Sequence, residues 1–295
     1  MSIQLFIVCA YIALLFGISF WVKKRADAGS TAFLLASRKL TTLLVAVNVT
    51  GLAVGAASTV GVAQRAFGVG LSAGWYNGAW SIGAIVMGLV AAGKLRSMKV
   101  STIPEFFENY YDTKGRLIGA IGLIIIMGVI TSLQYMAGGA ILSSLLPNIF
   151  TFKTGMIMSA VVFIGITLIG GLWSSGLSNI VSVTLIYVGI IYSATQSVAN
   201  VGGWDAMVAK LPNAEIMASP IAGLPLAVII GNIIVMITQT ITAQGPVQFA
   251  CAAENAKSAR NGYLLAGLMI FPVGFICAVV GVVAKVMFPE MPMSQ

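Results

Sequence analysis

The sequence predicts an all-α polytopic membrane protein with about eight transmembrane helices. Hydrophobic residues make up 59% of the 295 residues, and charged residues make up only 8%. A soluble domain needs about a quarter of its residues charged. The apolar residues form runs of about 20 residues or more, which is the length that an α-helix needs to cross a hydrocarbon layer of about 30 Å.

The apolar runs and the polar residues between them define the individual spans. The predicted spans cover about residues 3–22, 42–63, 71–93, 116–145, 155–173, 179–198, 225–249 and 260–287. The sequence before the first run contains no Lys or Arg, whereas a signal peptide carries basic residues there. We therefore interpret the first run as a retained transmembrane helix.

The distribution of Lys and Arg predicts the orientation in the cell membrane. If the N-terminus lies outside, twelve of the sixteen basic residues fall on the inner side, as the positive-inside rule requires. The four exceptions are Arg65, Lys153, Lys210 and Lys285. Topology thus accounts for the net charge of +8, and the expected partner is the lipid bilayer rather than nucleic acid.

Two of the predicted spans have the composition of interrupted helices. The segment 42–63 contains Gly51, Gly55 and Gly61 among many Ala, Ser and Thr residues. The segment 231–248 contains several Gln and Thr residues before Gly245-Pro246, and a proline within a span removes a backbone hydrogen bond. Two interrupted helices at corresponding positions of two halves indicate the midplane binding site of a transporter.

The residue types argue against enzyme chemistry and against a cofactor. The sequence contains no His, which argues against imidazole catalysis and most zinc sites. The segment 70–74 matches a Gly-x-Ser-x-Gly nucleophile pattern, but Ser72 has no base to activate it. The three cysteines lie in or beside apolar runs and are interpreted as packed thiols. The chain is therefore not expected to be an enzyme.

Polar residues within the spans have two interpretations. They can form interhelical hydrogen bonds, or they can line a shared cavity around the two interrupted helices. They are Asn77, Gln134, Asn179, Gln196, Asn232, Gln239, Thr240 and Gln244. Asn48-Val49-Thr50 matches a glycosylation acceptor pattern but lies within a span.

Two segments between the spans also have recognisable patterns. Residues 104–112 have the pattern of an amphipathic helix at the membrane interface, and the composition of residues 201–223 predicts a loop with one short surface helix.

Four segments, in the expected order, resemble the sodium:solute symporter family. They are AFLLASRKL at 32–40, STIPEFFENYY at 101–111, GITLIGGLWSSGLSNIVSV at 165–183 and QGPVQFACAAENAKSARNGYLLAGL at 244–268. The resemblance implies a LeuT-type inverted repeat that is truncated in this chain. Residues 3–22 would be the preceding helix, 42–198 the first five-helix repeat, and 225–287 the first two helices of the second repeat.

The resemblance also implies the site residues. The backbone carbonyls of Gly51 and Val54 would form half of a sodium site, with sodium as the coupling ion. The residues expected at the substrate are Gly55, Ala56, Ser58, Tyr76, Asn77, Gln134, Gln239 and Thr242. The implied function is sodium-coupled symport of a small organic solute.

Three departures from the family pattern bear on this function. Ser178-Asn179 stands where the family commonly has Thr-Asp, and Phe249 and Glu254 stand where Arg and Lys are usual. The chain ends at Gln295, before the eighth core helix whose hydroxyl groups complete the family's sodium site. We therefore expect weak or no sodium binding by this chain alone and a missing C-terminal portion as a partner. The alternative is a non-transporting sensor or assembly subunit that retains the fold.

Overall fold

The structure is a computed structural model that describes residues 3–290; residues 1, 2 and 291–295 of the predicted single domain lie outside the described residues. The described chain is built from helices. They are α1 (Ile3–Ala26), α2 (Ser30–Leu35), α3 (Thr42–Ala53), α4 (Val60–Val69), α5 (Trp75–Met87), α6 (Gly93–Met98), α7 (Ile103–Tyr110), α8 (Thr113–Leu145), α9 (Phe152–Asn200), α10 (Trp204–Ala209), α11 (Ala214–Met217), α12 (Leu226–Thr242), α13 (Gln244–Ala252) and α14 (Ala256–Met287).

The first interrupted helix is present where the glycine-rich sequence predicts it. Thr41 caps α3, because its hydroxyl group accepts a hydrogen bond from the Leu44 N–H. At Val54 the backbone leaves the helical conformation, with φ −98° and ψ 77°, and α4 begins only at Val60. Residues 54–59 therefore form a break in the middle of the predicted span 42–63.

The second interruption lies within the segment 231–248, where the sequence predicts it. The chain bends by 52° between α12 and α13. The bend is at Ala243, which has extended backbone angles, whereas Gly245 and Pro246 lie in the first turn of α13. The bend thus lies within the predicted segment 231–248, but Pro246 does not cause it, because the first four N–H groups of a helix have no intrahelical partner. A proline in that turn therefore costs no hydrogen bond.

The predicted spans 155–173 and 179–198 are joined in one 49-residue helix, α9. A straight helix of this length would extend about 74 Å, far beyond the membrane. Gly171 divides it, because its φ of 52° and ψ of −146° are not helical. A β-carbon at Gly171 would lie 2.5 Å from the Phe33 carbonyl oxygen, so only glycine fits this turn. The predicted boundary at 174–178 was wrong, since these residues are helical.

The polar segments between the spans contain short helices. The amphipathic helix predicted at 104–112 is α7. The hydroxyl group of its N-cap residue Thr102 accepts from the Glu105 N–H, and the Glu105 side chain accepts from the Ser101 N–H. The segment 201–223 contains two short helices, α10 and α11, whereas the sequence predicted one.

The core of the fold forms around α14, which packs against α3, α4, α5 and the second half of α9. By length and hydropathy, five helices in the described chain could cross a membrane, or six if the bent pair α12 and α13 is one span. These totals count α4 to α6 as one helix and α9 as one helix. The number of eight spans and the repeat boundaries at 42–198 and 225–287 stay predictions.

Candidate functional site

The candidate site is the break between α3 and α4, where backbone oxygen atoms lose their helical partners. The Gly55 carbonyl oxygen accepts hydrogen bonds from the N–H groups and the hydroxyl groups of Ser58 and Thr59, at 2.9–3.2 Å. By contrast, within residues 3–290 no backbone N–H group donates to the carbonyl oxygen of Gly51 or Val54. Unpaired carbonyl groups at a helix C-terminus carry partial negative charge and favour a cation.

The second half of α9 lies directly against this end of α3. A β-carbon at Gly51 would lie 2.8 Å from the Asn179 Oδ1 atom, so the Asn179 side chain would have to shift to accommodate it. The Asn179 Nδ2 group donates to Asn48 Oδ1 at 3.0 Å, and the Asn48 Nδ2 group donates to the Leu44 carbonyl oxygen at 2.7 Å. Two neutral amides therefore join α3 to α9 beside the unpaired carbonyl groups.

Sequence reasoning missed the role of Asn48, which it considered only as part of a glycosylation pattern. Asn48 is fully buried. The signal that could have found it is an Asn in an apolar span, three residues before a glycine, since a buried amide requires a partner. Its partner Asn179 is 131 residues away, and no local pattern connects the two positions.

Helix α8 brings Gln134 to the same break. The Gln134 Oε1 atom lies 3.7 Å from the position of a β-carbon on Gly55. The same side chain lines an open groove of about 510 Å³ between α8 and the first half of α9, together with Thr131, Tyr135 and Thr167. Gln134 is thus the lining residue of this groove that also lies near Gly55.

The remaining predicted residues of the first break differ in exposure. Ser58 is buried and its hydroxyl group is used within the break, whereas Ala56 is half-buried. Gly51, Val54, Gly55, Ser58 and Gln134 therefore lie together at the end of α3, and their role as site residues stays a prediction.

Asn77 on α5 is a second polar position in the core. Its side chain is fully buried, and neither its Oδ1 nor its Nδ2 atom has a hydrogen-bond partner in the described part of the chain. It lies against α14, where a β-carbon on Gly274 would be 2.7 Å from the Asn77 Cβ atom. A buried polar group without a hydrogen-bond partner lowers the stability of the fold by about 1–3 kcal/mol. A polar ligand that formed hydrogen bonds with Asn77 would remove this cost. The neighbouring Tyr76 is half-buried.

The two residues predicted on α12 lie in different surroundings. Gln239 is half-buried, one turn before the bend at Ala243. Thr242 is exposed, and its hydroxyl group donates to the Thr238 carbonyl oxygen at 2.7 Å. It lines a separate apolar groove of about 270 Å³ with Ile103 and Phe106. The structure does not bring Thr242 to the break between α3 and α4.

One end of the helix bundle is closed by backbone pairing. The Leu40 N–H donates to the Ala252 carbonyl oxygen at 3.1 Å, and the Glu254 N–H donates to the Leu40 carbonyl oxygen at 2.9 Å. Arg96 donates to the carbonyl oxygens of Ala253 and Glu254. The segment before α3 is thereby joined to the segment after α13, next to the start of the first interrupted helix and the end of the second.

The comparisons with known proteins agree with this geometry. The model of the sodium:solute symporter family matches residues 33–294. The chain belongs to the sodium:solute symporter family. A sodium/glucose cotransporter of Vibrio parahaemolyticus is 25% identical over 96% of this chain and 55% of the relative. A sodium/proline symporter of Staphylococcus aureus (strain bovine RF122 / ET3-1) is 23% identical over 67% of this chain and 40% of the relative. The chain thus spans about half the length of the curated relatives it matches.

A solved structure has the same fold. It is a Na⁺-coupled sialic acid symporter in a substrate-bound, outward-open state, with a TM-score of 0.84 and 13% sequence identity. It covers 100% of this chain, which in turn covers 63% of that chain. The predicted LeuT-type all-α fold and the predicted family are confirmed, and the chain is a multi-pass membrane protein. Its relatives are transporters, in line with the expectation that the chain is not an enzyme.

Proposed function

We propose that this chain forms part of a secondary active transporter that couples the uptake of a small organic solute to sodium. The observation that carries the proposal is the pair of unpaired carbonyl groups, Gly51 and Val54, at the end of α3. Carbonyl oxygens are hard ligands, which suit an alkali cation, and the dipole of α3 adds to their negative potential. An unwound helix within a membrane protein is tolerated where it lines a cavity.

The chain supplies only part of a sodium site. Asn179 lies near these carbonyl groups as a neutral amide, so the site contains no formal charge to hold a cation. Two carbonyl oxygens leave most of the coordination shell open, and we propose that a further portion of the transporter completes it. That portion would correspond to the remaining length of the relatives, of which this chain covers 40–55%.

We propose that the solute binds between the break and α5. Gly55, Ala56 and Ser58 would border it on α3, and Tyr76 and Asn77 would border it on α5. Gln134 and Gln239 would contribute amides from α8 and α12. These side chains carry no charge, which favours a neutral or zwitterionic solute such as a sugar or an amino acid, or a monocarboxylate held by a helix dipole. Thr242 would contribute only if α12 rotates.

The orientation that we propose places the N-terminus outside. The closed end of the bundle, at Leu40 and residues 252–254, would then face the cytoplasm. Breaking the hydrogen bonds of Leu40 with Ala252 and Glu254 would open the site toward the cytoplasm as one group of helices rocks against the other. The alternative function, a non-transporting sensor or assembly subunit, is not favoured, because the relatives are named as transporters.

The experiment compares two preparations in liposomes: this chain alone and the product of the coding region with any downstream continuation. Uptake of radiolabelled sugars and amino acids is measured with an inward gradient of sodium and, as a control, of choline. We expect sodium-dependent uptake of at least one solute by the continued product and none by the 295-residue chain. Equal uptake in sodium and choline would contradict sodium coupling. Sodium-driven uptake by the chain alone would contradict the half site.

A further inference from the structure

A basic groove lies at the closed end of the bundle, away from the break between α3 and α4. It has a volume of about 610 Å³ and lies between the start of α14 and the segment that joins α5 to α6. Three cationic side chains line it, Lys94, Lys257 and Arg260. Acidic residues are absent from its lining among the described residues.

The three cations have no partner within the chain. Within residues 3–290, none of the three side chains makes a hydrogen bond or an ion pair. The acidic residue nearest to Lys257 and Arg260 along the chain is Glu254, whose Oε1 atom accepts a hydrogen bond from the Ser258 hydroxyl group at 2.7 Å. Lys257 and Arg260 are three residues apart on α14 and so share one face of the helix. The groove therefore has uncompensated positive charge.

The other wall of the groove is apolar. The turn Gly88–Ala92 between α5 and α6 is a π-helix, a form that often marks functional sites. Its residues Leu89 and Val90 are 57% and 56% exposed. An apolar wall next to a cluster of cations matches an amphiphile whose head is anionic.

The floor of the groove consists of backbone. A β-carbon on Gly88 would lie 2.9 Å from the Tyr263 Cβ atom and 3.0 Å from the Arg260 carbonyl oxygen. A β-carbon on Gly93 would lie 3.5 Å from the Ala256 carbonyl oxygen. The two glycines thus let the helices approach closely and hold the cations around a shallow groove.

We propose that this groove binds an anionic phospholipid. Its phosphate lies among Lys94, Lys257 and Arg260, and an acyl chain lies along Leu89 and Val90. The groove is located where an apolar helix gives way to a basic segment, which is the level of lipid head groups. Basic pockets between transmembrane helices bind anionic head groups on the cytoplasmic side. The proposal does not depend on sodium coupling.

The test is native mass spectrometry of the purified chain in detergent, titrated with phosphatidylglycerol or phosphatidylcholine. We expect the wild-type chain to retain phosphatidylglycerol in preference to phosphatidylcholine. Each interfacial cation contributes about fivefold to the affinity for anionic lipid, so K94Q/K257Q/R260Q should weaken binding about 100-fold. The charge-conserving variant K94R/K257R/R260K should retain the lipid.

The matched control is K23Q/K24Q/K114Q, which removes three basic residues outside the groove. We expect it to change phosphatidylglycerol binding by less than about threefold. If the triple variant loses its helical circular dichroism, R260Q alone should still weaken binding about fivefold. Equal affinity for the two lipids, an equal loss in the control, or full displacement of the lipid by inorganic phosphate would overturn the proposal.

Discussion

Helices α14 and α8 have similar lengths, 32 and 33 residues, and both are apolar enough to cross a membrane. Their environments are opposite. In the most apolar stretch of α14, 56% of the residues are buried, whereas the corresponding stretch of α8 buries 0%. Hydropathy therefore identifies both helices as membrane spans but does not distinguish a helix at the centre of the bundle from one at its surface.

The positions of glycine account for the difference. On α14, a β-carbon at Gly274 or Gly281 would lie 2.5 Å from the Gly74 carbonyl oxygen or 2.0 Å from the Ala63 carbonyl oxygen. On α8, Gly122 and Gly128 have no atom within 4 Å of that position. Because lipid tails are as apolar as leucine, helices associate in membranes through close backbone packing at small residues. The glycines of α14 provide this packing, whereas those in the middle of α8 do not.

The largest expected effect is an opposite response of the two helices to the same substitution. Gly281→Ala places a methyl group against the Ala63 carbonyl oxygen and should destabilise the protein by about 3 kcal/mol, as overpacking does. Gly128→Ala, in open space, should leave stability unchanged or raise it by up to about 1 kcal/mol through helix propensity. Thermal unfolding of both purified variants in detergent measures this. An equal loss of stability in both would contradict the packing argument.

A second prediction concerns the contact between α3 and α9. Gly51→Ala should cost about 1–3 kcal/mol because its methyl group meets the Asn179 side chain. In the double variant with Asn179→Ala this clash is removed, so the two losses should not add. Gly61→Ala is the matched control, since its β-carbon would lie 3.8 Å from the nearest atom.

The same variants link stability to function. When Gly51→Ala is made in the product that includes any downstream continuation, it should raise the sodium concentration needed for half-maximal uptake. The double variant should return this concentration part of the way to the wild-type value. Strictly additive losses of stability, or an unchanged sodium dependence, would show that the contact has no part in the sodium site.

A smaller effect is expected at a polar contact of α14. The Tyr263 hydroxyl group donates to the Pro246 carbonyl oxygen, and the whole side chain is buried. Tyr263→Phe should therefore lower stability by about 1 kcal/mol, the net value of such a hydrogen bond. The control Tyr192→Phe changes a residue that is 66% exposed and should have no measurable effect. Indistinguishable unfolding temperatures for the two variants would refute the prediction.

The smallest effect on stability is expected at Gln134 of α8. This side chain is exposed, so Gln134→Ala should change stability by less than about 0.5 kcal/mol. If Gln134 lines the solute site, uptake by the continued product should nevertheless fall. Thr131→Ala, one turn away in the same open groove, serves as the control. Equal uptake by both variants would place Gln134 outside the solute site.

Elements that depend on local chemistry can be predicted from the sequence. The apolar runs established a helical membrane protein, the glycine-rich segment predicted the break after α3, and the amphipathic pattern at 104–112 predicted α7. These signals act within one or two turns of a helix, so they can be recognised without a fold. The motifs at 32–40 and 244–268 further allowed the family to be recognised.

Contacts between residues far apart in sequence follow from how the helices pack. Helix packing pairs Asn48 with Asn179, buries the Asn77 amide without a hydrogen-bond partner among residues 3–290, and places Thr242 in a groove away from the break. It also places the second bend at Ala243, within the predicted segment 231–248, and the turn of α9 at Gly171. The physical reason is that these features depend on close approach between helices far apart in sequence. A glycine or an amide has the same local pattern whether its neighbour is lipid, solvent or another helix.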